Sequence, residues 1–219
     1  MSNSYKFPDP RHAPDFEPLC MGGDLSAECL LEAYKNGIFP WFMADEPILW
    51  WSPNPRAVLF PKEVKIHKSL KPFLRKYSIK FDNDFANFIN LCRITRQKEG
   101  SWLSEKIAEA YTNLASLGIA HSVEVYEDNE LIGGLYGLIL GKVFCGESMI
   151  SIKPNASKVA LVRLCEVLDK FGFLIDCQVF NDHLKFMGAK EIPRDEFLQI
   201  FANLSAQNSG FSKFKDLEI

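Results

Sequence analysis

The chain has 219 residues, 47% hydrophobic and 24% charged, with a net charge of -3; that is the balance of an ordinary soluble globular protein with room for one large domain or two smaller ones. No apolar stretch approaches the roughly 18 residues that span a bilayer, and the opening Met-Ser-Asn-Ser-Tyr-Lys has no apolar signal core, so neither a membrane span nor export is expected. Six scattered cysteines without a Cys-x-x-Cys pair speak against a disulfide framework and against zinc, and for a reducing cytosol.

Residues 1–20 are proline-rich and read as an irregular arm lying on the body. Ser26 follows Gly22-Gly23-Asp24 and predicts the N-cap of a helix carrying Leu30, Leu31 and Tyr34, stopped at Gly37. Residues 38–56 are aromatic and too broken by proline to predict regular structure. A short strand is predicted over 57–60, a helix over 63–76 with Pro72 as a warning of a break or late start, and a strand over 79–81. Phe85, Phe88 and Leu91 mark the apolar side of a helix over 84–95.

The remainder alternates more clearly. Ser104 predicts the cap of a helix closed by Gly118, and strands come next over 121–126, 131–140 and 143–149, the last two joined by a Gly141-Lys142 hairpin turn. Ser157 predicts the cap of a helix with Leu161, Leu164 and Leu168 on its buried face, and residues 173–177 form another strand. Short helices after Asp182 and Arg194 end the chain. Three strands, a helix and a strand make an α+β pattern with a mostly antiparallel sheet.

Charge is unevenly spread. Residues 62–98 carry ten basic and three acidic side chains, on a chain that is otherwise strongly acidic. Lys68, Lys71 and Arg75 fall on one helical stripe; it reads either as a solvated face or as a phosphate-binding stripe that steers a nucleic acid. The element order is compatible with a GNAT-like acyltransferase core. A coenzyme A donor, however, needs glycines in the loop before the central helix so that backbone N–H groups approach its pyrophosphate. Residues 151–156 contain none.

Several long blocks make the chain more specific. They are Gly-Gly-Asp-Leu-Ser at 22–26, Gly-Ile-Phe-Pro-Trp-Phe at 37–42 and Pro-Ile-Leu-Trp-Trp-Ser-Pro at 47–53. Phe-Cys-Gly-Glu-Ser-Met at 144–149, Asn-Ala-Ser-Lys at 155–158 and Leu-Ile-Asp-Cys-Gln-Val at 174–179 continue the series. With these the chain resembles the leucyl/phenylalanyl-tRNA–protein transferases over residues 22–201. The resemblance implies a small N-terminal domain (1–60) followed by a GNAT-like catalytic domain (61–219) with a mostly antiparallel mixed sheet. It implies a cytoplasmic, monomeric enzyme without cofactor or metal. Such an enzyme moves Leu, Phe or Met from aminoacyl-tRNA to proteins with N-terminal Lys or Arg, marking them for degradation under the N-end rule.

It also implies roles for residues. Trp41 and Trp102 would stack on the terminal adenosine of the tRNA, with Tyr34 and Tyr111 as neighbours; an aromatic face is worth about 1–3 kcal/mol per base. Leu135, Phe144, Met149, Leu161, Leu164 and Ile175 would line the pocket for the transferred side chain, though periodicity alone makes each a core residue. Lys68, Arg75 and Lys76 would meet tRNA phosphates. Glu147, with Asn181, would receive the acceptor's N-terminal Lys or Arg. Alternation along the strand puts Asp176 and Gln178 on one face and Cys177 on the other, so Gln178 would hold the attacking amine through its side-chain oxygen and Asp176 would orient and polarise it. A ribose hydroxyl of the tRNA relaying the proton remains an alternative. A cysteine nucleophile at Cys145 or Cys177, or Ser148 paired with His121 or His183, lacks the surrounding pattern such chemistry needs. The rival readings are a non-catalytic tRNA-binding module and a small-molecule GNAT-like acyltransferase.

Overall fold

The computed structural model describes residues 5–97 and 103–218. Its first part is a three-stranded antiparallel sheet of very short strands, β1 (Cys20–Met21), β2 (Phe39–Pro40) and β3 (Leu49–Trp51), in the order β1-β3-β2, beside α1 (Ala27–Lys35). Residues 38–56 therefore do hold regular structure, in strands of two or three residues, too short for any alternation to show. Ser26 caps α1 by accepting the Cys29 N–H at 3.3 Å, and Gly37 follows at φ 70°, both as predicted. The proline-rich arm is tied to the body by Arg194, whose guanidinium donates to the carbonyls of Arg11, Pro14 and Ser52.

The larger part is a seven-stranded sheet formed by β4 (Arg56–Leu59), β5 (Ser78–Phe81), β6 (Ala120–Glu127), β7 (Glu130–Leu140), β8 (Val143–Ser151), β9 (Leu174–Gln178) and β10 (Lys190–Ile192). Its order is β10-β4-β9-β8-β7-β6-β5, antiparallel except for β8 and β9, so the class is α+β with a mostly antiparallel mixed sheet. The crossover between β8 and β9 is α5 (Ala156–Leu168), which packs on one face of the sheet. The other face is covered by α3 (Phe85–Gln97), α4 (Glu105–Ser116) and α7 (Arg194–Ser205). A short α6 (Asp182–Met187) comes after β9. Strand β4 lies N-terminal to residue 60 and yet sits between β9 and β10 in the large sheet.

The helix expected over 63–76 is not formed. Residues Pro61–Glu63 and Lys68–Leu70 make single 3-10 turns, and only α2 (Lys71–Lys76) is α-helical. Pro72 stands in the first turn of α2, where its missing N–H costs nothing, and its ring keeps the helix from extending further back along the chain.

Two features open the sheet in its middle. The β8–β9 ladder ends at Cys145↔Asp176, although β8 runs on to Ser151. In addition, β7 and β8 shift register between Tyr136↔Ser148 and Gly137↔Gly146, leaving Glu147 as the extra residue of a bulge. A bulge bends its strand and re-aims side chains. Gly137, at that step, lies against the Cys145 carbonyl and the Phe144 ring, where any Cβ would collide. Gly137→Ala should accordingly lower the unfolding free energy by about 1–3 kcal/mol, read as a lower urea midpoint at unchanged m-value.

Candidate active site

Where β8 and β9 part, a cavity of about 320 Å³ runs through the sheet. Its α5 side is apolar and includes Leu135, Phe144, Met149, Leu161, Leu164 and Ile175, so all six residues expected in a side-chain pocket are brought together there, joined by Leu184 of α6. Its opposite end is polar, with Arg96, Glu147, Ser148, Gln178 and Asn181. Trp41 stands at the same end, 41% exposed, held by a hydrogen bond from Trp51 Nε1 to its carbonyl at 2.6 Å. Glu147 is the one acidic and Arg96 the one basic side chain among the described residues lining this space.

The Glu147 carboxylate is held from three sides. Tyr34 donates to Oε1 at 2.6 Å, Tyr111 to Oε2 at 3.0 Å and Gln178 Nε2 to Oε1 at 2.8 Å, while the two phenol oxygens lie 2.5 Å apart. Burial pushes its carboxyl pKa up to about 7, against the pull of the two phenols. Tyr34 and Tyr111 were expected beside an adenosine, but they are 2% and 0% exposed and present no face to a base. They come from α1 and α4 to fix the acid instead, a pairing across 77 residues that no local pattern announces.

Asp176 also differs from expectation. It does not line the cavity. It is 1% exposed and forms a bidentate pair with Arg56, Nε to Oδ1 at 2.8 Å and Nη2 to Oδ2 at 2.7 Å. Its link to Gln178 runs through the backbone: Asp176 Oδ1 accepts the Gln178 N–H at 3.0 Å. Strand alternation fails here because Gln178 takes φ 61°, in the left-handed region. As a result Cys177 and Gln178 both reach the cavity and Asp176 turns away. Arg56, absent from the sequence reading, lies between the Phe39 and Phe197 rings at 4.7 and 4.5 Å from their centroids. Its signal was its place directly after Pro-Asn-Pro, which fixed nothing about its partner.

Other expectations find partners elsewhere. Asn181 lines the cavity, but its Oδ1 caps α6 by accepting the Leu184 N–H at 2.9 Å. Lys68 and Arg75 are exposed, whereas Lys76 is ion-paired with Glu127. Arg96, counted with the basic segment, turns inward: Nε donates to Ser148 Oγ and Nη2 to the Met149 carbonyl, both at 3.0 Å. Trp102 lies outside the described residues. Burial holds the Cys145 and Cys177 thiols above their ordinary pKa, which leaves little thiolate for nucleophilic work. Ser148 is engaged by Arg96, and His121 Nδ1 by Asp82 at 2.7 Å, so these two do not form a nucleophile–base pair. No helix among the described residues is long and apolar enough to cross a membrane, and none of their His, Cys, Asp and Glu side chains cluster as metal ligands.

Comparison with known proteins fits these features. The family model for the leucyl/phenylalanyl-tRNA protein transferase matches residues 58–202, and the model for that family's N-terminal domain matches residues 23–54. A leucyl/phenylalanyl-tRNA–protein transferase of Campylobacter jejuni (strain RM1221) is 50% identical over 206 residues, covering 94% of each chain. The chain belongs to the leucyl/phenylalanyl-tRNA protein transferase family. Proteins of that name from Aliivibrio fischeri and Vibrio campbellii are 49% and 48% identical, covering 95% and 98% of this chain and 89% and 93% of their own. Among solved structures, an aminoglycoside acetyltransferase from an uncultured soil metagenomic sample matches at a TM-score of 0.39 and 15% identity, over 60% of this chain and 88% of its own.

The geometry of this transferase-family site sets two expectations. Asp176→Asn leaves the Arg56 charge buried without its partner, so stability should fall by about 3–5 kcal/mol. The double replacement Arg56→Met/Asp176→Leu should recover most of that loss in denaturant titrations, because no charge is then left unpaired. The second concerns pH. In the unfolded chain Glu147 titrates near 4.3, and in the folded one at about 7. Between these values the folded state keeps a proton that the unfolded state has released, so this group's contribution to stability is full below about pH 4.3 and declines as pH rises toward about 7. Glu147→Gln should remove that decline, seen as a flatter profile of melting temperature against pH.

Proposed function

We propose that this protein transfers Leu or Phe, and with them Met, from aminoacyl-tRNA to the α-amino group of proteins that begin with Lys or Arg, marking them for degradation. In this reading it works in the cytoplasm as a monomer and without a cofactor. The observation that carries the proposal is the cavity itself: an apolar pocket of aliphatic, Phe and Met side chains opens directly onto a polar end holding one acidic and one basic side chain, in a chain of this family. An apolar side chain and the ester attached to it need that pairing of environments.

The reaction is aminolysis of an ester. The nitrogen of the acceptor's α-amino group bonds to the ester carbonyl carbon, the bond from that carbon to the ribose oxygen breaks, and the amine's proton ends on the released ribose hydroxyl. An α-amino group has a pKa of about 7.7–8.0, so a neutral fraction is present without a strong base. Holding amine and ester together supplies roughly 7–11 kcal/mol of the barrier reduction. Gln178 has Nε2 committed to Glu147, which leaves its carbonyl oxygen to accept from the amine. Glu147 balances the cationic acceptor, with Asn181 lining the same cavity. Asp176 acts as a positioning residue, through the Gln178 backbone N–H. Trp41, and Trp102 by its place in the sequence, stack on the terminal adenosine, and Lys68 and Arg75 meet phosphates of the acceptor stem.

The test is to mix the protein with Phe-tRNA or Leu-tRNA and a peptide beginning with Arg, and to look by mass for the peptide extended by one residue. No extension, with charged tRNA still bound, would instead favour a non-catalytic tRNA-binding module. Charge reversal of Lys68 together with Arg75 should cut transfer from intact tRNA and flatten its salt dependence, because phosphate contacts release counterions. Transfer from phenylalanyl-adenosine, which lacks those phosphates, should be unaffected. Equal loss with both donors would remove these two residues from tRNA binding.

A further inference from the structure

The Asn-Ala-Ser-Lys block at 155–158 takes no part in the aminoacyl cavity. Three of its residues, Asn155, Ser157 and Lys158, line a second and more open hollow. The two spaces adjoin, since Arg96, Met149 and Asn181 border both.

Two cations face this hollow without an acid. Elsewhere in the fold, shielded basic side chains take one: Arg56 from Asp176, Lys153 from Glu127 and Glu130, Arg163 from Glu166. Among the described residues Arg96 and Lys158 have no such partner. Arg96 donates only to neutral groups, Ser148 Oγ and the Met149 carbonyl, and Lys158 Nζ stands over the Phe186 ring, 4.7 Å from its centroid. Both side chains are half-buried and both line the hollow. Its one acid among the described residues, Asp182, is exposed, where water and salt screen it. His183 adds no charge near neutral pH, because burial and the Lys158 ammonium push its pKa below the ordinary value. The start of α5 is already occupied: the Ser157 N–H goes to Ser151 Oγ at 2.9 Å and the Ala156 N–H to the Lys153 carbonyl at 3.3 Å. What faces the hollow is positive charge on two side chains, one of which also borders the polar end of the cavity.

The two substrates of aminoacyl transfer differ in charge: the donor is a polyanion and the acceptor's first residue a cation. In aminoacyl-tRNA the phosphate nearest to the ester is carried by the same ribose, on its 5′ carbon. With the ester at the polar end of the cavity, that phosphate leaves over the rim, and Arg96 is the one basic side chain there among the described residues. Resting on the aminoacyl transfer proposed above, we propose that Arg96 and Lys158 bind the 5′-phosphate of the donor's terminal adenosine, while the cationic acceptor enters on the Glu147 side. A guanidinium and an ammonium match a phosphate in both charge and hydrogen-bond donors, and they repel an N-terminal Lys or Arg from the same hollow. The contact holds the reacting end of the tRNA and is separate from the acceptor-stem contacts of Lys68 and Arg75.

Two donors that differ by one phosphate test this, phenylalanyl-adenosine and phenylalanyl-adenosine 5′-phosphate, each with an Arg-initiated peptide. In wild type, KM should be at least roughly 10-fold lower for the phosphorylated donor, at equal kcat, and the advantage should shrink as salt is raised. Lys158→Met keeps an unbranched stem on Phe186 and removes the charge. It should lose most of that advantage, keep KM for the unphosphorylated donor and for the peptide within about twofold, and melt as wild type does; Lys158→Arg should retain the advantage. Equal KM for the two donors in wild type overturns the proposal, as does an equal loss with both in Lys158→Met. A rise in KM confined to the peptide assigns the hollow to the acceptor chain and overturns it too. Calorimetry with the matching amide-linked analogues, which cannot transfer, separates this from a failure of the transfer reading. A 5′-phosphate that tightens binding to wild type and far less to Lys158→Met supports the phosphate site even if no peptide is extended. No tightening in wild type overturns it whether or not transfer occurs.

Discussion

The site depends on one buried ion pair. Arg56 and Asp176 meet on neighbouring strands with two hydrogen bonds of 2.8 and 2.7 Å, and both side chains are almost completely shielded from water. Removing each charge from water costs several kcal/mol, which attraction offsets only when geometry is good and the remaining atoms are satisfied. Here the offset comes from the two-point contact, the Gln178 N–H on the carboxylate and two aromatic faces on the guanidinium. Arg56 Nη1 has no partner among the described residues, so the compensation they give is incomplete. The pair therefore contributes geometry more than stability. Phe39 belongs to the small sheet, Phe197 to α7 and the ion pair to the large sheet, so three parts of the chain converge on a single charge.

What that charge fixes is the turn of the chain at Gln178. A non-glycine residue in the left-handed region is strained, and Asp176 holds it there by accepting its N–H. The reversed conformation sends the Gln178 amide to Glu147 rather than to the opposite face of the strand. On the facing strand, the bulge at Glu147 performs the complementary task. Two departures from regular strand geometry, one on each side of the gap between β8 and β9, bring together the only acid of the cavity and the amide beside it, among the described residues.

This arrangement explains which parts were legible in the sequence. The α1 cap at Ser26, the hairpin at 141–142 and the apolar face of α5 are set by local rules, and all three are present. The apolar pocket was implied by the family resemblance alone: its members are alternating strand residues and one helix face, which periodicity reads as core, and the gap they surround appears only in three dimensions. Local rules failed where a partner came from far away. Asp176 was read by alternation, but Arg56, 120 residues earlier, decides where its carboxylate goes. Tyr34 and Tyr111 carry the same residue type whether they stack on a base or hold an acid, and only the burial of both rings distinguishes the two. The small sheet escapes notice because two-residue strands have no period, and the apolar spacing of Val64, Leu70 and Phe73 or Leu74 overestimates the helix over 63–76 because the late start that Pro72 warns of is the one that occurs.

The division of the cavity also bears on how little chemistry the protein has to supply. The amine is nucleophilic near neutral pH and the ester is already activated, so neither a covalent intermediate nor a strong base is needed. What aminolysis does need is two reactants held at one distance, with fixed charges where charge appears. Glu147 locked by two phenols, Gln178 locked by Asp176, and Arg96 locked by Ser148 and the Met149 carbonyl are all side chains whose positions are set by neighbours rather than by substrate. Preorganisation of this kind places the cost of ordering in the folding step instead of the reaction. It also accounts for the tolerance of polar burial in this region: incomplete satisfaction at Arg56 and Tyr136 sits beside the site, where local stability gives way to fixed geometry.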